Sequence, residues 1–156
     1  MKVFSKEEID QARAYFESQG FSKVDADVGG RQFSYFVLPQ ALEPRLPNFV
    51  SRMTGKPEDG MVFGISDSVD SDYRDYAVAH EYIEFVELGI DTPNRCVLAL
   101  EEELKLVPDE IKPDYIPMRA TFFRDLIDYC SAQPEFYTSD DLRQFRENAE
   151  KLEALI

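Results

Sequence analysis

Two adjacent glycines, Gly29-Gly30, separate two runs of residues in which apolar and polar side chains alternate. The first run covers residues 23–28 and the second covers residues 31–38. Glycine readily adopts the positive φ angles of a two-residue hairpin turn, so this pattern predicts two antiparallel strands joined by a tight turn. The hairpin commits the chain to a fold that contains an antiparallel sheet.

A third strand is predicted at residues 61–66, MVFGIS, because so apolar a run is typical of a strand buried in a core. Pro39, Pro44 and Pro47 interrupt the stretch between the hairpin and this strand. They leave room for a short helix from about residue 48 to residue 54.

The other segments have helical patterns. Ser5-Lys6-Glu7-Glu8 is a capping box that opens a first helix, and Gly20 ends it. Further helices are predicted at residues 70–88, 92–107, 118–131 and from the Thr138-Ser139 cap to the end. The last helix is amphipathic, so it either closes the core of a monomer or forms a homodimer contact.

Together these elements predict one α+β domain over residues 1–156. Its small sheet is three-stranded and mainly antiparallel, the 70–88 helix covers the sheet, and the C-terminal half is helical.

A chain of 156 residues buries enough surface to be stable without disulfides or a metal. Cys96 and Cys130 have no CxxC spacing, so we expect both to be small buried apolar residues rather than ligands. With no apolar run of signal-peptide or membrane-span length, we expect a cytoplasmic protein without a membrane partner.

The negative charge is concentrated in the middle of the chain. The formal net charge is −14, and residues 67–114 contribute 14 acidic and 4 basic side chains to it. Such a surface repels phosphate backbones, which excludes nucleic acid as a partner. It favours a cation, a metal ion or a basic protein.

The only histidine of the chain, His80, lies in this acidic segment on the 70–88 helix. Most of that helix is apolar. His80, Glu84 and Glu87 follow one another at spacings of four and three residues, which places them on one strip of the helix, with Glu81 beside them. We expect this strip to face either a cleft or the solvent.

The segment 78–85, VAHEYIEF, resembles the His-Glu-x-x-His helix of the zincin metallopeptidases. The resemblance implies a zincin-like fold and, if the chain is an enzyme, metal-dependent hydrolysis of a peptide or amide. It also implies that His80, Glu84 and Glu101 are metal ligands and that Glu81 is the general base. The ion of that family is zinc, carboxylate ligands suit manganese, and neither ion is favoured.

Glu84 stands where the family has its second histidine, and this departure leaves other interpretations open. Zinc prefers nitrogen and sulfur ligands, so a shell of one histidine and two carboxylates favours a helix without a working ion. In that case His80 pairs with Glu84, and Glu101 pairs with Lys105, on exposed helix faces. Another interpretation is a zincin-like scaffold that has lost catalysis. The last is a non-enzymatic acidic interaction module, of inhibitor or immunity type, that binds a basic partner.

Overall fold

A computed structural model describes residues 2–156. It confirms the α+β class and the helical C-terminal half. The strands are β1 (Lys23–Val28), β2 (Arg31–Leu38), β3 (Val50–Thr54) and β4 (Met61–Ser66). The helices are α1 (Lys6–Ser18), α2 (Arg74–Tyr82), α3 (Arg95–Leu106), α4 (Lys112–Ser131) and α5 (Ser139–Glu153), and Ile83–Leu88 continues α2 as a π-helix.

The sheet has four strands in the order β1-β2-β4-β3, so the prediction of three strands was wrong. The Gly29-Gly30 hairpin pairs β1 with β2 in antiparallel fashion, as predicted. The buried strand β4 also forms as predicted, but it lies parallel to β2. Because β3 pairs antiparallel with the other side of β4, the sheet is mixed and β4 is a central strand.

The missing strand is β3, where the sequence pattern predicted a short helix. Its five residues are too few for a periodicity to distinguish a helix from a strand. Pairing decides the outcome: Arg52 lies opposite Phe63 and Met53 lies opposite Val62 in the ladder with β4. The tertiary partner therefore overrides the weak local preference.

Helices cover both faces of the sheet. Successive side chains of β2 and β4 point to opposite faces and so belong to two different clusters of buried residues. One face, with Tyr35, Phe63 and Ile65, packs in the same cluster as Ala77, Val78 and Ala79 of α2. The opposite face packs against α1, α4 and α5 through a second cluster of buried residues that includes Ile9, Phe36, Leu38, Val62, Phe123, Phe145 and Leu152. His80 of α2 lies against Phe123 of the second cluster, with ring centroids 5.9 Å apart.

The predicted 70–88 helix begins later and changes geometry part-way. It starts at Arg74, and its α-helical part ends at Tyr82. In the π-helical continuation the Gly89 amide donates to the Glu84 carbonyl, five residues back, and Gly89 ends the helix with φ of +90°. Short π-segments occur frequently at functional sites, and this one contains Glu84.

The remaining helices agree with the sequence patterns except at their ends. α4 begins at Lys112 instead of residue 118, so Pro117 lies inside its second turn. The Thr138 side chain caps α5 as predicted, accepting from the Asp141 amide. None of the helices between residues 2 and 156 is both long enough and apolar enough to cross a membrane.

Amide hydrogen exchange will test the position of β4. Residues 64–66 of β4 lie beside β2, and residues 61–65 pair with β3 on the other side. We therefore expect the amides of its C-terminal half to exchange only on global unfolding, whereas alternate amides of the edge strands β1 and β3 exchange faster. Fast exchange at every second residue of β4 would instead identify it as an edge strand.

Candidate metal centre

His80 and Glu84 are buried together, one helical turn apart. Their exposed fractions are 2% and 4%, and His80 Nε2 lies 3.2 Å from Glu84 Oε1. The expectation of a pair on an exposed strip was wrong, because the strip faces α3 and the protein interior. Only Glu87, further along, is exposed, and it binds Arg31 at 2.8 Å.

The structure does not bring Glu101 to His80. Glu101 is exposed on α3 and lies 3.3 Å from Lys151, so the predicted pair with Lys105 does not form either. Lys105 binds Glu102 instead. The acidic residue of α3 that faces the histidine is Glu103, whose Oε1 lies 2.8 Å from His80 Nδ1.

Glu103 is fully buried and is held by several donors. The Arg119 guanidinium donates from Nε to Oε2 at 2.8 Å and from Nη2 to Oε1 at 2.9 Å, and the Tyr115 hydroxyl donates to Oε2 at 2.6 Å. Burial opposes ionisation, but the Arg119 charge and the hydrogen bond from His80 outweigh it and hold the pKa of Glu103 at about 2. Glu103 is therefore a permanent carboxylate that fixes the orientation of the imidazole.

A third potential ligand comes from the start of α3. Cys96 Sγ lies 3.5 Å from His80 Nε2 and is fully enclosed. Burial, together with the negative charge of Glu84, raises the pKa of the Cys96 thiol to about 12. The expectation that both cysteines are buried is confirmed. The sequence pattern, however, contained no signal that would distinguish Cys96 from Cys130 as a site residue.

The charges around His80 favour its protonated form when no cation is present. Burial disfavours the imidazolium, but the hydrogen bonds of the ring with the carboxylates of Glu103 and Glu84 raise the pKa of His80 well above its usual range. Glu84 is also oriented from its other side, because Arg95 Nε lies 3.3 Å from its Oε2.

His80, Glu84 and Cys96 thus bring nitrogen, oxygen and sulfur donor atoms together, all within 4.8 Å of one another. Ligands of a tetrahedral zinc ion, bound at about 2.0–2.3 Å, lie about 3.3–3.6 Å apart. The observed 3.2 Å and 3.5 Å from Nε2 to the other two donors are close to this spacing. The Nδ1 contact with Glu103 is the carboxylate–histidine arrangement that commonly orients a zinc ligand. The donor elements and the two spacings from Nε2 are therefore compatible with zinc.

The three donors line a cavity of about 540 Å³. Glu81 also lines this cavity, and no group in residues 2–156 donates a hydrogen bond to its carboxylate. Burial, with the neighbouring Glu84 charge, raises the pKa of Glu81 to about 7. A carboxyl group with such a pKa exchanges protons readily near neutral pH.

The acidic residues before α2 and in its first turn have local structural roles. Asp67 accepts from the Gln40 amide and Asp70 from the Asp72 amide, which organises the loop between β4 and α2. Asp75, in the first turn of α2, accepts from the Tyr35 hydroxyl of β2. Binding of a basic partner by this segment stays a prediction.

The chain matches no protein-family model, no curated protein sequence and no solved structure. Function is therefore inferred from the geometry of the site itself.

Replacing Glu103 will test whether its carboxylate organises the site. Glu103→Gln leaves the Arg119 charge buried without a counter-ion, so we expect a loss of about 3–5 kcal/mol in the free energy of unfolding, measured by urea denaturation at pH 7. Because folding lowers the pKa of Glu103, its stabilisation is present above about pH 4.5 and is lost as the pH falls towards 2. The difference from wild type should therefore narrow in acid.

Glu102→Gln is the matched control, since Glu102 is the adjacent residue of α3 and binds Lys105 at the surface. We expect it to change the free energy of unfolding by no more than about 0.5 kcal/mol. Equal effects of the two substitutions would contradict the role assigned to Glu103.

Proposed function

We propose that the chain is a zincin-like, zinc-dependent hydrolase that cleaves a peptide or amide bond. Zinc would be held by His80, Glu84 and Cys96. The observation that carries this proposal is that these three donors lie within 4.8 Å of one another on the lining of a cavity. Three protein ligands beside an open space are the arrangement of catalytic zinc sites, whereas structural sites are closed by a fourth ligand.

The sulfur of Cys96 supports zinc over manganese or magnesium. Thiolate is a soft ligand that selects zinc, while manganese and magnesium prefer shells of oxygen atoms. Glu84 takes the position of the missing second histidine and Cys96 takes the third position, which was predicted for Glu101, so the shell has one nitrogen, one oxygen and one sulfur. Glu101 has no part in it.

The bound ion would supply Lewis acidity that activates a water molecule. Glu81 takes a proton from the attacking water and gives it to the leaving nitrogen as the carbon–nitrogen bond breaks. The free position of its carboxylate in the cavity suits this role, because a general base must be accessible to the water. Glu103 and Arg119 keep the His80 ring in one orientation throughout.

Zinc should stabilise the wild-type protein against heat. At about one hundred times the dissociation constant, zinc adds about 2.7 kcal/mol, which raises the Tm of a chain of this size by about 5–10 °C. Zinc must displace the protons of His80 and Cys96 when it binds, so the rise in Tm that zinc causes should be larger at pH 8 than at pH 6. A thermal-shift titration with zinc, manganese and magnesium measures the effect and its selectivity.

Substitutions then locate the ion. We expect His80→Ala and Cys96→Ser to abolish the zinc-induced shift, whatever their effect on the Tm without metal. Cys130→Ser and Glu101→Ala are the controls, because Cys130 is the other buried cysteine and Glu101 is an exposed acid of α3. Both should retain the full shift. A zinc shift that survives Cys96→Ser, or is lost in Glu101→Ala, would contradict the proposed ligands.

The role of Glu81 separates catalysis from metal binding. Glu81→Gln should keep the zinc-induced shift but lower the hydrolysis of fluorogenic peptide and arylamide substrates at least about 100-fold, since it removes the general base. Glu87→Gln, at an exposed position of the same helical segment, should leave both properties unchanged. Undiminished hydrolysis by Glu81→Gln would remove Glu81 from the mechanism.

A further inference from the structure

The cavity beside the metal centre is lined by both polar and apolar side chains. Its polar lining includes His80, Glu81, Glu84 and Cys96. Its apolar lining consists of aromatic and aliphatic side chains from several elements, among them Phe16, Leu38, Phe49, Phe122, Leu126 and Phe145. A volume of about 540 Å³ is in the range that holds small-molecule ligands.

Arg52 of β3 brings a positive charge to this cavity. Its Nη1 donates to the Lys2 carbonyl and to Thr54 Oγ1, each at 3.2 Å, and its guanidinium lies 4.3 Å from the centre of the Phe85 ring. No carboxylate in the described part of the chain lies within ion-pair distance of it. Burial lowers the pKa of Arg52, yet an arginine remains charged at neutral pH.

The two other basic side chains of the lysine and arginine type that line the cavity differ in this respect. Lys2 is exposed and forms an ion pair with Glu8 at 3.3 Å. Arg119 forms an ion pair with Glu103. Among the lysine and arginine side chains that line the cavity in residues 2–156, Arg52 is therefore the one without a carboxylate at ion-pair distance, although the charges of Glu81 and Glu84 raise its pKa.

From this arrangement we propose that the cavity binds an apolar acyl group, with the acyl oxygen held by Arg52 and the hydrocarbon or aryl part among the aromatic side chains. This inference rests on the proposed hydrolase function. The substrate is then an amide with a large apolar acyl part, and the product is an apolar carboxylate. Arginine pairs well with a carboxylate because its planar fork donates two parallel hydrogen bonds.

Isothermal titration with octanoate tests the proposal on the full chain, once loaded with zinc and once treated with chelator. Octyltrimethylammonium, of the same chain length and opposite charge, is the comparison ligand. We expect octanoate to bind at least about tenfold more tightly, since a hydrogen bond to a charged group has a strength that corresponds to about that factor.

The variants assign the binding to Arg52 and to the cavity. Arg52→Gln should lower the affinity for octanoate at least about tenfold, while Arg52→Lys, which keeps the charge, should lower it less. Lys2→Gln is the control and should change the affinity less than twofold. Leu126→Trp fills space along the apolar lining and should weaken octanoate without affecting the zinc-induced thermal shift.

The outcomes separate this inference from the metal proposal. If the protein binds zinc but does not prefer octanoate to octyltrimethylammonium, the acyl-binding proposal alone is overturned. The same holds if Arg52→Gln changes the affinity for octanoate by less than twofold. Arg52-dependent binding of octanoate by a chain that binds no zinc supports the acyl pocket and overturns the hydrolase.

Discussion

The ion pair between Glu103 and Arg119 is the interaction on which the rest of the site depends. It keeps a carboxylate ionised in the interior, where burial alone would favour the neutral acid. The carboxylate in turn holds His80 Nδ1, so that Nε2 is directed at Glu84 and Cys96. One buried charge pair thus links α2, α3 and α4 and sets the geometry of the proposed ligands.

The parts of the fold that local chemistry determines could be predicted from the sequence. Gly29-Gly30 determines a hairpin because few other residues adopt the backbone angles of its turn, and MVFGIS is too apolar to lie outside a core. β3 could not be predicted, since its five residues form a strand only because β4 is beside them. The same long-range pairing makes the sheet mixed.

In the candidate site, too, the features determined by local sequence could be predicted and those determined by long-range packing could not. A helix fixes the proximity of His80 and Glu84 through their spacing, so the sequence predicted that pair. Successive residues of α3 differ by about 100° in direction, and the choice between Glu101 and Glu103 depends on how the helix packs. Burial of Glu103 also contradicts the usual preference of glutamate for the surface. Cys96 gave no signal because an isolated cysteine has the same pattern as any small apolar residue.

Zinc X-ray absorption spectroscopy tests the central claim most directly, on protein purified without chelator or affinity tag and loaded with one equivalent of zinc. The proposed ligands predict one sulfur at about 2.3 Å, with nitrogen and oxygen neighbours at about 2.0–2.2 Å. A first shell of oxygen and nitrogen alone, with no sulfur, would contradict the assignment of Cys96 and with it the proposed centre.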